Sequence, residues 1–217
     1  KGIEINATEL NNSTASGQIF STDNVDLNIK GDVTNTEGAL VHANTDVTLD
    51  ADGNLINEGS TIEAINTTKI DAQNISSSGT ILAQGGSLTI DTATLDNQGA
   101  LAGNGIVLNA TELHNSTASG QIFSTDNVDL NIKGDVSNTD GALIHANTDV
   151  TLDADGNLTN TNATIEAINS TKIDAQNITS SGTILAQDSS LTIDSAKLDN
   201  QGALAGNGIV INASELN

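Results

Sequence analysis

The 217-residue chain has no cysteine, proline, methionine, tryptophan, tyrosine or arginine, and only two phenylalanines. Without cysteine there is no disulfide frame and no thiolate metal site, although this leaves the compartment open. Six basic residues face 28 acidic ones, and the formal net charge is −22. Nucleic acid is therefore an unsuitable partner, because its phosphates must be neutralised by basic side chains. The same charge favours solubility in an elongated particle. No apolar run approaches the ~20 residues of a membrane-spanning helix. No basic-then-apolar leader opens the chain, so any export signal is expected outside these residues. An acidic chain poor in aromatics often stays disordered. Here 36% of the residues are hydrophobic, and their regular spacing argues for a packed core.

Repetition dominates what is present. The stretch NSTASGQIFSTDNVDLNIKGDV occupies residues 12–33 and returns unchanged at residues 115–136. Leu10, Leu113 and Leu216 each close the phrase A-[TS]-E-L, which sets a long period of about 103 residues. Repeats 1–103 and 104–206 agree at about five positions in six, and a third begins at 207–217. The chain reads as a single repetitive segment, 1–217, of a longer array.

Inside the long period lies a shorter one, of about 18 to 22 residues. Ile3-x-Ile5, Val25-x-Leu27, Val47-x-Leu49 and Leu88-x-Ile90 are strand-like pairs with both aliphatics on one face. A fourth pair keeps Ile70, with Thr68 in the first place, and Leu108 closes the first pair of the second repeat. Next comes the set Leu10, Val33, Leu55, Ile75, Leu95, and then Ile19, Leu40, Ile62, Ile81, Leu101. Turn formers separate the last two sets: Asn35-Thr36-Glu37-Gly38, Asn57-Glu58-Gly59, Ser78-Gly79 and Asn97-Gln98-Gly99. Glycine and asparagine tolerate the positive φ that a sharp corner often demands. Three short strands and three corners per ~20 residues describe one coil of a parallel β-helix. The expected fold is all-β, about ten coils with no helical domain, and the β-branched, Asn- and Gly-rich content disfavours helix. The expected core includes Ile5, Leu27, Leu49, Ile70, Ile90 and Leu108 in one set, and Leu10, Leu55, Ile75 and Leu95 in a second. Ile62 and Ile81 belong to the third.

The recurring pattern [IVL]-x-[IL]-[ND]-A-x-x-[LI]-x-N-x-G-x-[IL]-x-A resembles the repeats of filamentous haemagglutinin. The resemblance is carried by LTIDTATLDNQGALAG (88–103), KIDAQNISSSGTILAQ (69–84) and GIVLNATELHNSTASGQIFS (105–124). It spans essentially the whole chain. It implies a right-handed parallel β-helix, secreted or on the cell surface of a Gram-negative bacterium. Export would run through an outer-membrane transporter partner by two-partner secretion. In such adhesins and contact-dependent growth inhibition effectors, this region is a stalk carrying a receptor-binding or toxic part outward. The secretion domain and terminal effector of such proteins are not recognisable in these residues.

Candidate sites are few. Asp50-Ala51-Asp52-Gly53-Asn54, repeated at 153–157, lacks the Gly and Glu of a calcium loop, since Leu55 and Thr61 take those places. Asp50, Asp71 and Asp91 each follow an inward aliphatic and are expected to form a solvent-facing column at ~4.8 Å spacing, where a cation would relieve repulsion. The competing expectation is a solvated acidic edge. His42 and His145 occupy equivalent places about five coils and ~24 Å apart, too far for one metal ion. They and His114 read as surface or corner residues. Phe20, Val41 and Leu82, with Phe123, Ile144 and Leu185, directly follow presumed inward residues. They form either an outward apolar stripe or a tucked corner of the core. Asn-x-Ser/Thr triplets such as Asn6-Ala7-Thr8 and Asn12-Ser13-Thr14 read as part of coil-to-coil asparagine stacking.

No catalytic residue, cofactor or enzyme activity is expected. The chain has no Arg, Tyr or Trp to line a glycan cleft, and no pair of carboxylates stands out by its environment. A structural stalk is the favoured role. Its alternative is an adhesive rod flank that binds a cell-surface receptor multivalently. Open coil edges predict end-to-end self-association.

Overall fold

A computed structural model describes residues 2–217. Among the described residues there is no helix, and 24 strands join one continuous set of parallel pairings. The chain winds as a parallel β-solenoid of ten coils, with the start of an eleventh at its C-terminal end. Each coil has three strand faces. The second coil shows the plan with Val25–Ile29, Val33–Thr36 and Leu40–Ala43. Each strand pairs with its counterpart one coil before and one coil after. Coil edges are thereby hydrogen-bonded, as buried backbone groups require.

Alternation along each strand puts every second side chain inside. On the first face, Ile5, Leu27, Leu49, Ile70, Ile90 and Leu108 lie in direct register. On the second, Leu10, Val33, Leu55, Ile75, Leu95 and Leu113 do the same. These columns meet in one core that runs the length of the rod. Ten of the twelve expected core residues are buried: Leu27, Leu49, Leu55, Ile62, Ile70, Ile75, Ile81, Ile90, Leu95 and Leu108. The other two expectations need correcting. Ile5 and Leu10 pack against the core but are only half-buried, because among the described residues their coil is covered by the following coil alone.

The third face corrects the register as well. The inward column is Ile19, Val41, Ile62, Ile81 and Leu101, so Val41, not Leu40, points inward. Glu37 and Gly38 both have positive φ, at 59° and 82°. The corner they form takes one residue more than the corner at Gly59 and two more than that at Gly79, which moves the strand along by one relative to Thr61–Ala64. Ile144 is inward in the second repeat for the same reason. In the other inward column of the first face Thr68 stands between Val47 and Leu88, and there it is buried and donates its hydroxyl to the Leu82 carbonyl at 2.7 Å.

Corners are as specific as the columns. A Cβ at Gly79 would stand 2.1 Å from the backbone oxygen of Ser60 on the preceding coil. Gly79→Ala is therefore expected to force the corner open and to cost about 1–3 kcal/mol, as overpacking does. Gly59 differs. Its φ is +56° with open space around it, and Asn162 fills the equivalent place at 50°. Gly59→Asn should leave the midpoint of chemical denaturation nearly unchanged, while Gly79→Ala lowers it.

Candidate functional site

With the inside filled by aliphatics, chemistry is confined to the outward columns. On the third face, consecutive coils present Phe20, His42, Glu63, Leu82 and Ala102 in register. The second repeat follows with Phe123, His145, Glu166 and Leu185. The phenylalanine and histidine rings stack with centroids 5.0 Å apart in both copies, at interplanar angles of 6° and 5°. His42 Nδ1 lies 2.7 Å from Glu63 Oε1, and His145 Nδ1 lies 2.8 Å from Glu166 Oε1. The other ring nitrogen of each histidine faces an asparagine oxygen, Asn44 Oδ1 at 2.9 Å and Asn147 Oδ1 at 3.0 Å. Partial burial pulls the His42 pKa down. Hydrogen bonds to Asn44 and Glu63 and the Glu63 charge outweigh that, so the net direction is above the ordinary histidine value.

The expected apolar stripe is thus half right. Phe20, Leu82, Phe123 and Leu185 lie on the outward side, whereas Val41 and Ile144 are in the core and histidines stand in their places. The histidines are not isolated surface residues either. Small residues two positions after the inward aliphatic carry the missed signal: Ser21, Ala43, Ala64 and Ala83 align, and they place His42 between Phe20 and Glu63. Phe20 is 51% exposed. Phe20→Asp is accordingly expected to keep the β-structure, as circular dichroism would show, and to cost only about 0.5–1.5 kcal/mol through loss of the ring stacked on His42. Loss of β-structure would show that Phe20 supports the core.

The first face carries the acidic column. Asp50, Asp71 and Asp91 are brought into direct register as expected, on three successive coils. Asparagines flank them: Asn28 sits below Asp50, and Asn109 above Asp91 donates to its Oδ1 at 2.7 Å. No group of three or more histidine, aspartate or glutamate side chains among the described residues is arranged to hold a metal ion. A shallow open groove of about 510 Å³ runs beside Asn6, Asn28, Lys30, Asp50 and Asp52. Its copy, of about 470 Å³, runs beside Asn109, Asn131, Lys133, Asp153 and Asp155. At a neighbouring corner, Asp46 accepts hydrogen bonds from the Thr67 hydroxyl, from Thr67 N at 3.0 Å and from Asn66 Nδ2 at 2.9 Å. The Thr67 hydroxyl contributes most to lowering its pKa; burial opposes this, the Thr67 backbone and Asn66 bonds add to it, and the net direction is down. The contribution of Asp46 to stability is therefore present at neutral pH and lost as pH falls through its depressed value. His114 is half-buried and lies 3.5 Å from Glu112, outside both columns.

Asparagines form a second line of polar contacts, buried on the inner side of the second face. Asn12 donates to Asn35 at 2.8 Å, Asn35 to Asn57 at 2.9 Å, and Asn57 to Ser77 at 3.3 Å. The second repeat reproduces this from Asn115 through Asn138 and Asn160 to Ser180. The same amides also donate to corner carbonyls, as Asn35 does to Thr61 O. Of the triplets considered above, Asn12 belongs to this ladder, whereas Asn6 is exposed.

The fold defines a repetitive β-solenoid with two copies of the Phe–His–Glu column, the asparagine ladder and the groove. No protein-family model, curated protein or solved structure matches the chain.

Proposed function

We propose that this chain is a non-catalytic stalk segment of a large secreted or surface-anchored bacterial exoprotein. It holds a distal receptor-binding or toxin part away from the cell, in adhesion or contact-dependent growth inhibition, after export through an outer-membrane transporter partner. The observation that supports this reading is the equivalence of the two repeats. The Phe–His–Glu column, the asparagine ladder and the grooves recur five coils apart with nearly the same geometry. Adding a repeat adds roughly 24 Å of rod at ~4.8 Å per coil and asks no residue for a new task. Corner residues also differ between repeats while keeping backbone shape, as Gly59 and Asn162 do.

An adhesive flank is the second reading, favoured by the exposed ring of Phe20 and the half-buried ring of Phe123, its repeat-spaced copy. Binding of the fluorescently labelled chain to bacterial and epithelial cells separates the two. A stalk gives no saturable binding up to tens of micromolar. Saturation at micromolar or lower concentration, abolished by Phe20→Asp with Phe123→Asp, would transfer the function to the flank.

A further inference from the structure

Phe20, His42 and Glu63 tie together three successive coils, and Phe123, His145 and Glu166 tie three more, five coils further along. In each copy both imidazole nitrogens face oxygen acceptors. A carboxylate oxygen only accepts, so Nδ1 beside Glu63 carries a proton. Nε2 faces Asn44 Oδ1, a second acceptor. With the Asn44 amide presenting its oxygen, both contacts are satisfied together only by the imidazolium, which has a proton on each nitrogen. The aromatic face stacked 5.0 Å away adds an attraction for a positive ring. The His42 side chain is only 12% exposed and that of Glu63 21%, so water replaces these contacts poorly.

We infer that the Phe20–His42–Glu63 column is a proton-operated clamp, which binds neighbouring coils more tightly when its histidine is charged, and the Phe123–His145–Glu166 column repeats its geometry in the second 103-residue repeat. Glu63 is the carboxylate that faces the His42 ring. The strand below, Gln18–Ser21, brings Phe20 and no charged side chain, and the strand above, Thr61–Ala64, brings Glu63. Leu82 follows on the next coil. Asp46, in the turn after His42, is engaged by Asn66 and Thr67. Asp23, in the turn after Phe20, has contacts of its own. In the second copy, Asp126 accepts from the Thr148 hydroxyl, and Asp149 from Asn169 and Ser170.

The sign follows from linkage. A histidine whose folded pKa lies above its unfolded one adds stability that is complete below the unfolded value of ~6.5 and disappears as pH rises through the folded value. The rod is then tighter in mildly acidic water than in alkaline water. The upward direction for His42 agrees.

The test uses the whole chain, whose three histidines give few ring resonances. Proton NMR titration should place the His42 midpoint above ~6.5, and Glu63→Gln should move it down toward that value. Thermal melts at about pH 6 and about pH 8 should show a gain on acidification. That gain should shrink in the Glu63→Gln, Glu166→Gln double variant, which keeps the side-chain shape. A His42 midpoint at or below ~6.5, or one that Glu63→Gln does not move, overturns the inference. So do parallel pH dependences of melting in parent and double variant.

Discussion

Leu108→Asp is expected to unfold the middle of the rod while its ends stay folded. Leu108 is 1% exposed, with Ile90 and Leu130 directly below and above it. Removing a buried leucine side chain costs roughly 2–5 kcal/mol. Burying a carboxyl group that finds no partner adds roughly 2–7 kcal/mol more, even when the group takes up a proton. Solenoid coils contact only their neighbours, so damage stays near its source. Hydrogen exchange should lose protection over the coils adjoining residue 108 and retain it around Leu27 and Ile173. Ile5→Asp, in the half-buried first coil, should fray that coil and nothing beyond.

Asn138→Ala should cost about 2–5 kcal/mol, nearly as much as opening the core, although it removes only one amide. Asn138 is fully buried and donates to Asn160 Oδ1 at 2.9 Å and to Thr164 O at 3.0 Å. It also accepts from Asn115 Nδ2 at 2.9 Å. An alanine leaves the Asn160 and Thr164 oxygens without this donor, at about 1–3 kcal/mol for each group left unsatisfied. Asn115 keeps a bond to Leu143 O at 3.1 Å. Asn138→Ser should recover part of the loss, because Ser77 and Ser180 occupy this ladder and accept from Asn57 and Asn160. Chemical denaturation of the three proteins checks the order: parent, serine, alanine.

Most of the fold was legible because its rule is simple. Aliphatics alternating inside a ~20-residue period specify the coil, and Leu27, Leu49, Ile70 and Ile90 fall in one column as spaced. The exception shows what spacing leaves open. Leu40 and Val41 are adjacent aliphatics, and periodicity cannot choose between them. The choice is made by the two positive-φ residues before them, Glu37 and Gly38, which lengthen the corner. That single step hid the outward column, because it placed Val41 beside Phe20 and left His42 apparently isolated. The acidic column was easier: Asp50, Asp71 and Asp91 follow Leu49, Ile70 and Ile90, whose register was already fixed. Their assembly did not create a metal cluster, since side chains in register at coil spacing need not converge. The buried asparagines were half visible. Sequence suggested stacking, but only the fold shows that their second donor caps the corner carbonyls.

Spacing between equivalent residues on different coils tests the solenoid most directly, and the absence of native cysteine makes it measurable. Spin labels at Asp71→Cys and Asp174→Cys sit five coils apart, and at Asp50→Cys and Asp194→Cys seven coils apart. Pulsed electron resonance should give narrow distributions centred at about 24 Å and about 34 Å, in proportion to coil number at ~4.8 Å each. Broad distributions, or separations that do not scale with the number of coils, would contradict a stacked parallel solenoid.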